Sequence, residues 1–140
     1  QSQGQTNTLQ NLIISESANV VSSNMIPGDS VTYTFTVHNP NTISVCFSLL
    51  WSNTTNTFVN QKDLLVKLEK SDGTVLVESS QFPATNIGTN MLVEGISIEA
   101  DTIDTFTLTV TYQNTEEDQT ADIGKSFSGT IVGELGECSP

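Results

Sequence analysis

Imidazole, thiol and carboxylate are the side chains on which most protein chemistry rests, and this sequence is sparing with the first two. Its single histidine, His38, stands on the polar side at the end of an alternating segment, directly before Asn39-Pro40. Nucleophilic catalysis requires a base held beside its nucleophile, and a strand-end histidine facing water has no such neighbour in the sequence. One histidine and two cysteines also fall short of the ligand set of a zinc centre. The chain has no Gly-x-Ser-x-Gly elbow, no His-Glu-x-x-His helix, no Walker motif and no Gly-x-Gly-x-x-Gly loop.

Carboxylates remain. Glu94, Glu99, Asp101 and Asp104 form one group, and Glu116, Glu117, Asp118 and Asp122 a second. A pair of acids in a cleft suffices for general acid and base work, but each group lies in or beside a turn, where acids are ordinarily solvated. The chain is therefore not expected to be an enzyme, and no motif requires a cofactor. Calcium is the other use for such acids. Glu94, Glu99, Asp101, Asp104, Asp118 and Asp122 are the candidate ligands, although neither group has the spacing of an EF-hand loop. Asn53-Thr54-Thr55 is a glycosylation sequon in what reads as a loop, which makes Asn53 the candidate carrier of a glycan.

Cys46 and Cys138 are compatible with one disulfide, inside a subunit or between neighbours, or with two free thiols of which Cys46 is a small core residue. A start at Gln1 rather than Met is what a processed, exported, extracellular chain is expected to show, and a trimmed sequence would begin the same way. The extracellular compartment favours oxidation of the pair.

Charge narrows the partners. The net charge is −12, from sixteen acids against four lysines and no arginine. Affinity for phosphate comes from clustered Lys and Arg, so nucleic acid is excluded as a partner and anionic membrane surfaces are disfavoured. No apolar stretch reaches the roughly 18 residues of a transmembrane helix. Apolar residues make up 36% of the chain, below the roughly 45–50% of an average globular domain. Thr, Ser, Asn and Gln fill the deficit, which is the composition of a half-exposed sheet.

The elements that would position these groups are strands. From Ser30 to His38, Val31, Tyr33, Phe35 and Val37 face one way and Thr32, Thr34, Thr36 and His38 the other. Phe106 to Tyr112 repeats the pattern, with Phe106, Leu108, Val110 and Tyr112 inward against three threonines. Threonine suits the outward role, because its branched Cβ fits the pleat while its hydroxyl meets water. Ile43 to Trp51 alternates too, with Cys46 and Leu50 making its second side partly apolar. Leu64–Glu69 and Thr74–Glu78 flank an Asp72-Gly73 hairpin signal. Further strands are expected near Leu12–Ile14, Val20–Ser22, Met91–Ile98 and Lys125–Val132. Loops are expected at residues 24–29, 52–61, 79–90 and 114–124, with a short helix between 55 and 65 as an alternative. The sum is an all-β chain, an antiparallel β-sandwich of jelly-roll or Ig-like type with about 7–9 strands.

One further pattern concerns the order of these elements. The stretch Asn24-Met25-Ile26-Pro27-Gly28-Asp29-Ser30, the alternating strand to Val37 and then Asn39 resembles the opening of the TasA/camelysin family of secreted fibre-forming proteins. A hairpin like Ser71-Asp72-Gly73-Thr74, the late strand Phe106–Tyr112 and the step Ile123-Gly124-Lys125-Ser126-Phe127 come next in the family's order, so the likeness covers residues 8 to 132. Two features depart from it: the cysteines, and the polar segment Gln-Ser-Gln-Gly-Gln-Thr-Asn-Thr at residues 1–8. The resemblance implies export and polymerisation into biofilm fibres, pili or tubes by donor-strand complementation, in which the N-terminal arm of one subunit completes a sheet of the next. Peptidase activity described for camelysin-like members is not carried over, since its ligands are missing here.

The expected organisation is an extended N-terminal arm, residues 1–14, ahead of a single sandwich domain, residues 15–140. Gln5, Thr6, Asn7, Thr8, Leu9, Leu12, Ile13 and Ile14 are the expected assembly residues. A literal alignment instead leaves Leu9 to Ile14 in the subunit's own body and donates only residues 1–8. The expected partner is a second copy of the chain, together with other filament or cell-envelope proteins. The rival reading is an adhesive or carbohydrate-binding module of a cell-surface protein, which an exposed aromatic platform would favour. Trp51, the only tryptophan, shares the phase of Phe47 and Leu49 and is expected in the core.

Overall fold

A strand that alternates between apolar and polar side chains satisfies both only at the surface of a sheet with one wet face. The computed structural model describes residues 9–15, 18–136 and 138. Among these the chain is all-β, with nine strands in two antiparallel sheets packed as a sandwich. The strands are β1 (Ile13–Ile14), β2 (Asn19–Ser23), β3 (Ser30–His38), β4 (Val45–Asn56), β5 (Leu64–Lys70), β6 (Val75–Gln81), β7 (Asn86–Ile98), β8 (Ile103–Tyr112) and β9 (Ser126–Gly136). One sheet runs in the order β1-β3-β8-β5-β6 and the other β2-β9-β4-β7.

The two Thr-rich strands lie side by side. β3 and β8 pair without a break from Ser30↔Thr111 to His38↔Ile103. Their inward residues Phe35, Val37, Phe106, Leu108, Val110 and Tyr112 are buried, whereas Thr32, Thr34 and Thr36 oppose Thr109, Thr107 and Thr105 on the outer face. Phe47, Leu49 and Trp51 of β4 with Phe127 and Ile131 of β9 form the facing wall. Rings join the walls: Phe47 meets Phe106 edge to face at 6.3 Å, and Trp51 and Phe127 close on Phe82 at 4.7 and 4.8 Å. Each buried ring contributes roughly 1.5–3 kcal/mol of transfer free energy.

Asp72-Gly73 makes the expected hairpin. Gly73 takes φ 94°, the Lys70 N–H donates to the Thr74 carbonyl at 2.8 Å, and the Thr74 N–H donates to the Asp72 carboxylate at 2.9 Å. That backbone N–H, and after it the Thr74 side chain, holds the Asp72 carboxyl below its ordinary range.

Several boundaries differ from those expected of the sequence. β4 begins at Val45 and runs through Asn56, so Ile43 lies outside it and is 54% exposed, and residues 52–56 are strand rather than loop. The polar residues that suggested a loop are instead satisfied from the side. Thr54 Oγ1 donates to the Ala84 carbonyl at 2.8 Å and Asn56 Nδ2 to that of Pro83 at 3.2 Å. β6 and β7 likewise reduce the expected 79–90 loop to residues 82–85. The helix alternative survives only as a 3₁₀ turn at Gln61–Asp63, and β9 extends beyond Val132 to Gly136.

Candidate functional site

Where two sheets of a sandwich share a crossing chain, one sheet can outrun its neighbour, and here it does. Asn19, the first residue of β2, pairs with Thr130. β9 continues for six residues, Ile131 to Gly136, matched to β4 from Trp51 to Cys46. Among the described residues nothing pairs with this stretch on its other side. Alternate residues of such an edge turn their N–H and C=O groups outward, a ready template for another strand.

A groove of about 330 Å³ lies at the start of this edge, lined by residues 11, 12, 14, 15, 18 and 19 and by residues 130–133. Its floor depends on one small residue. A Cβ on Gly133 would stand 3.0 Å from Cδ1 of Ile14 and 3.4 Å from Cδ1 of Leu12, so glycine lets these side chains tuck under β9. Leu12 is 9% exposed, and Ile13 and Ile14 pair with His38 and Val37.

Residues 9–14, expected within an arm, are therefore docked on the chain's own body. The lock is a pair of buried asparagines. The Gln10 N–H donates to Asn41 Oδ1 at 2.7 Å, and Asn41 Nδ2 returns a bond to the Gln10 carbonyl at 2.9 Å. Asn39, fully buried, accepts from Asn41 and donates to the carbonyls of Ile43 and Glu99, each at 3.0 Å. Leu9 and Ile13 are 42% and 56% exposed. Gln5, Thr6, Asn7 and Thr8 lie outside the described residues.

Cys46 and Cys138 form a disulfide within the chain, with Cα atoms 5.1 Å apart. Cys46 sits on β4 opposite Gly136 and is buried, while Cys138 is exposed just beyond the end of β9. The bridge thus closes the far end of the open edge.

The acids are dispersed. Glu94 and Glu99 are exposed, Asp101 lies 3.4 Å from His38 Nε2, and Asp104 lies 3.6 Å from Lys70 Nζ. Asp118 accepts from the hydroxyl and N–H of Thr120, which hold its carboxyl below the ordinary range. Asp122 is fully buried and accepts the N–H groups of Val59 at 2.5 Å and Asn60 at 3.1 Å, and the Asn60 amide at 3.0 Å. Of the six candidate calcium ligands, Glu99 and Asp104 line one pocket together with Lys70, and among the described residues no three His, Cys, Asp or Glu side chains gather to hold a metal. His38 is half-buried at its strand end. Asn53 is exposed on a bulge of β4 with φ 58°, not on a loop.

Sequence reasoning overlooked a second buried polar knot at the opposite end. Gln119 Nε2 donates to Asp63 Oδ2 at 2.9 Å and the Tyr112 hydroxyl donates to the Gln119 carbonyl at 3.2 Å. Burial, then the carboxylates of Asp122 and Asp63, push the Tyr112 pKa above its ordinary value. It also overlooked the open edge, because the last strand was expected to end at Val132, whereas β9 runs to Gly136. The signal was present: Ile131, Gly133 and Leu135 continue the inward phase of Phe127.

No family model matches the chain, and no curated protein matches it either. Among solved structures, a chain of the infectious bursal disease virus Gx strain structure aligns at TM-score 0.35 and 16% identity over 92% of this chain and 33% of its own. AvmM, described as catalysing macrocyclization in alchivemycin A biosynthesis, aligns at TM-score 0.35 and 10% identity, covering 89% of this chain and 92% of its own. The enzymatically active domain of bacteriophage CBA120 tailspike protein 4 aligns at TM-score 0.29 and 13% identity, over 92% of this chain. The chain spans a third of the viral chain and a fifth, 20%, of the tailspike chain. Likenesses of this strength bear on neither family nor activity.

Among the described residues no helix is long and apolar enough to cross a membrane.

Proposed function

We propose that the protein is the structural subunit of an extracellular filament, polymerising by donor-strand complementation through its N-terminal segment. The observation that carries this reading is the edge of β9 from Ile131 to Gly136, open beside a groove that a segment such as residues 1–8 of a neighbour could fill. Residues 1–8 contain no charged side chain although the whole chain carries −12, so a neighbour's segment approaches the groove without bringing acids with it. Main-chain hydrogen bonds give such an arm affinity even where its side chains are polar. Eight extended residues reach roughly 26–29 Å, ample for a six-residue edge. Leu9 to Ile14 stay with their own subunit and serve as its anchor. A carbohydrate-binding reading has less support, since Trp51 is 2% exposed and offers no platform.

The test is electron microscopy of the purified protein beside a form lacking residues 1–8. The full chain is expected to form fibres, and the truncated form to remain a folded monomer with an unchanged melting midpoint. Fibres from the truncated form overturn strand donation by this segment.

A further inference from the structure

The edge that would accept a strand has a structural weakness and one covalent support. β9 is paired on both sides as far as Thr130, but from Ile131 onward, among the described residues, β4 alone pairs with it. Two of the six residues in this stretch are glycines, Gly133 and Gly136, which lose the most backbone freedom on ordering. Of the rest, Ile131 is buried, Val132 and Leu135 are half-buried, and Glu134 is exposed. A one-sided, glycine-containing strand end is the kind of element that opens locally at small cost. Just past it stands Cys138, bonded to Cys46 on the neighbouring strand, directly opposite Gly136.

We infer that the Cys46–Cys138 disulfide keeps the Ile131–Gly136 edge in place to accept a strand, so that assembly is gated by the thiol state of this pair. The inference rests on the filament reading above and adds its regulation. Oxidised, the edge is pinned at both ends, by β2 at Thr130 and by the bridge beyond Gly136. Reduced, it is pinned at one end only and frays from the other, and the template for an incoming strand is lost.

The geometry also directs the chemistry of reduction. Cys138 is exposed and Cys46 is 5% exposed, so an attacking thiolate reaches the sulfur of Cys138 and expels Cys46 as the leaving thiolate. With a small dithiol as reductant, its second thiol then displaces Cys138 from the mixed disulfide. The dithiol ends as a cyclic disulfide, and its two electrons and two protons reside on the cysteines. A subunit kept reduced before export would thus remain unassembled until it met an oxidising compartment.

The experiment compares three forms of the full chain: oxidised, reduced in the folded state by a dithiol and then alkylated, and the double variant Cys46→Ala/Cys138→Ala. Hydrogen exchange is measured at residues 131–136 and at β3 and β8, and fibres are counted by microscopy. In both bridge-less forms, exchange at 131–136 is expected to accelerate about tenfold or more while β3 and β8 stay protected, and fibre formation is expected to fall with it. Unchanged protection at 131–136, or fibres forming from both bridge-less forms as readily as from the oxidised chain, overturns the gate. The in-place reduction guards against a variant that fails to fold. If the oxidised chain itself forms no fibres, the filament reading is what fails, and the exchange data still decide whether the bridge holds the edge.

Discussion

β8 and the tip of β9 share an alternating phase and are placed under opposite conditions. β8 lies between β3 and β5, with nine matched pairs on one side and seven on the other. Its inward residues Phe106, Leu108, Val110 and Tyr112 show no exposed surface. The β9 tip alternates in the same way through Ile131, Gly133 and Leu135, yet one row of its backbone groups has no strand partner among the described residues and its inward face is completed by Leu12 and Ile14. A strand with both sides matched has spent its hydrogen-bonding capacity on folding. One with a single side matched keeps the other for a partner, and the fold must hold it by other means.

Substitutions can break or sharpen that contrast. Phe106→Ala at the doubly flanked centre removes a ring that touches both Phe35 and Phe47, and is expected to cost about 3–5 kcal/mol in chemical denaturation. A loss below about 1 kcal/mol would mean the core is centred elsewhere. Asp122→Asn comes next. The amide nitrogen introduces a donor where Val59 and Asn60 already present donors, and a loss of about 1–3 kcal/mol is expected. Hydrogen exchange should place the disturbance at residues 56–63 and 119–125, leaving the β9 tip unaltered.

Gly73→Val tests an ordinary turn against both regions. Nothing stands within 4 Å of the added Cβ, so the cost arises from φ 94° alone and is expected near about 1 kcal/mol or more in a thermal melt. Gly133→Ala is expected to cost least, under about 1 kcal/mol, because the atoms it meets are the movable ends of Ile14 and Leu12. It should nonetheless displace those side chains and slow fibre growth, a separation of stability from assembly that no substitution in β8 would produce.

Alkaline pH offers a check on the buried knot. The Tyr112 phenol has its pKa raised in the folded chain by burial and by Asp122 and Asp63. Its contribution to stability is therefore complete below the unfolded value of about 10 and declines as pH rises toward the folded one. Melting midpoints recorded from about pH 8 to 11 should fall more steeply for the native chain than for Tyr112→Phe. Parallel curves would show that Tyr112 is not held apart from solvent charge.

Alternation made the sheets legible in the sequence. Phe35 and Phe106 declared their burial because each stands in a run where threonine takes every other place, and Asp72-Gly73 declared its turn because few dipeptides accept that geometry. Residues 52–56 misled for a physical reason. Thr54 and Asn56 are polar, and hydrogen bonds with residues 83–85, far away in sequence, help to make their burial tolerable. The strand edge was hidden for a similar reason. Whether a strand is open on one side depends on where another strand starts, and Asn19 gives no local sign that β2 begins too late to cover residues 131–136. Asn39 was visible as the residue closing a strand, but its grip on three carbonyls and on Asn41 could not be read from spacing.

The clasp between Gln10 and Asn41 has a mechanical meaning. Asn41 takes hold of both the N–H and the C=O of one residue, so a pull on the chain ahead of Leu9 reaches the body at that point before it reaches the short pairing of β1. The two bonds and the buried amide of Asn39 behind them form a strain relief, passing tension into the corner between β3 and β4 rather than peeling Ile13 and Ile14 away one rung at a time. A fibre linked through its N-terminal segments would place every subunit under such a load. Its breaking force would then depend on a single asparagine side chain as well as on the strands it joins.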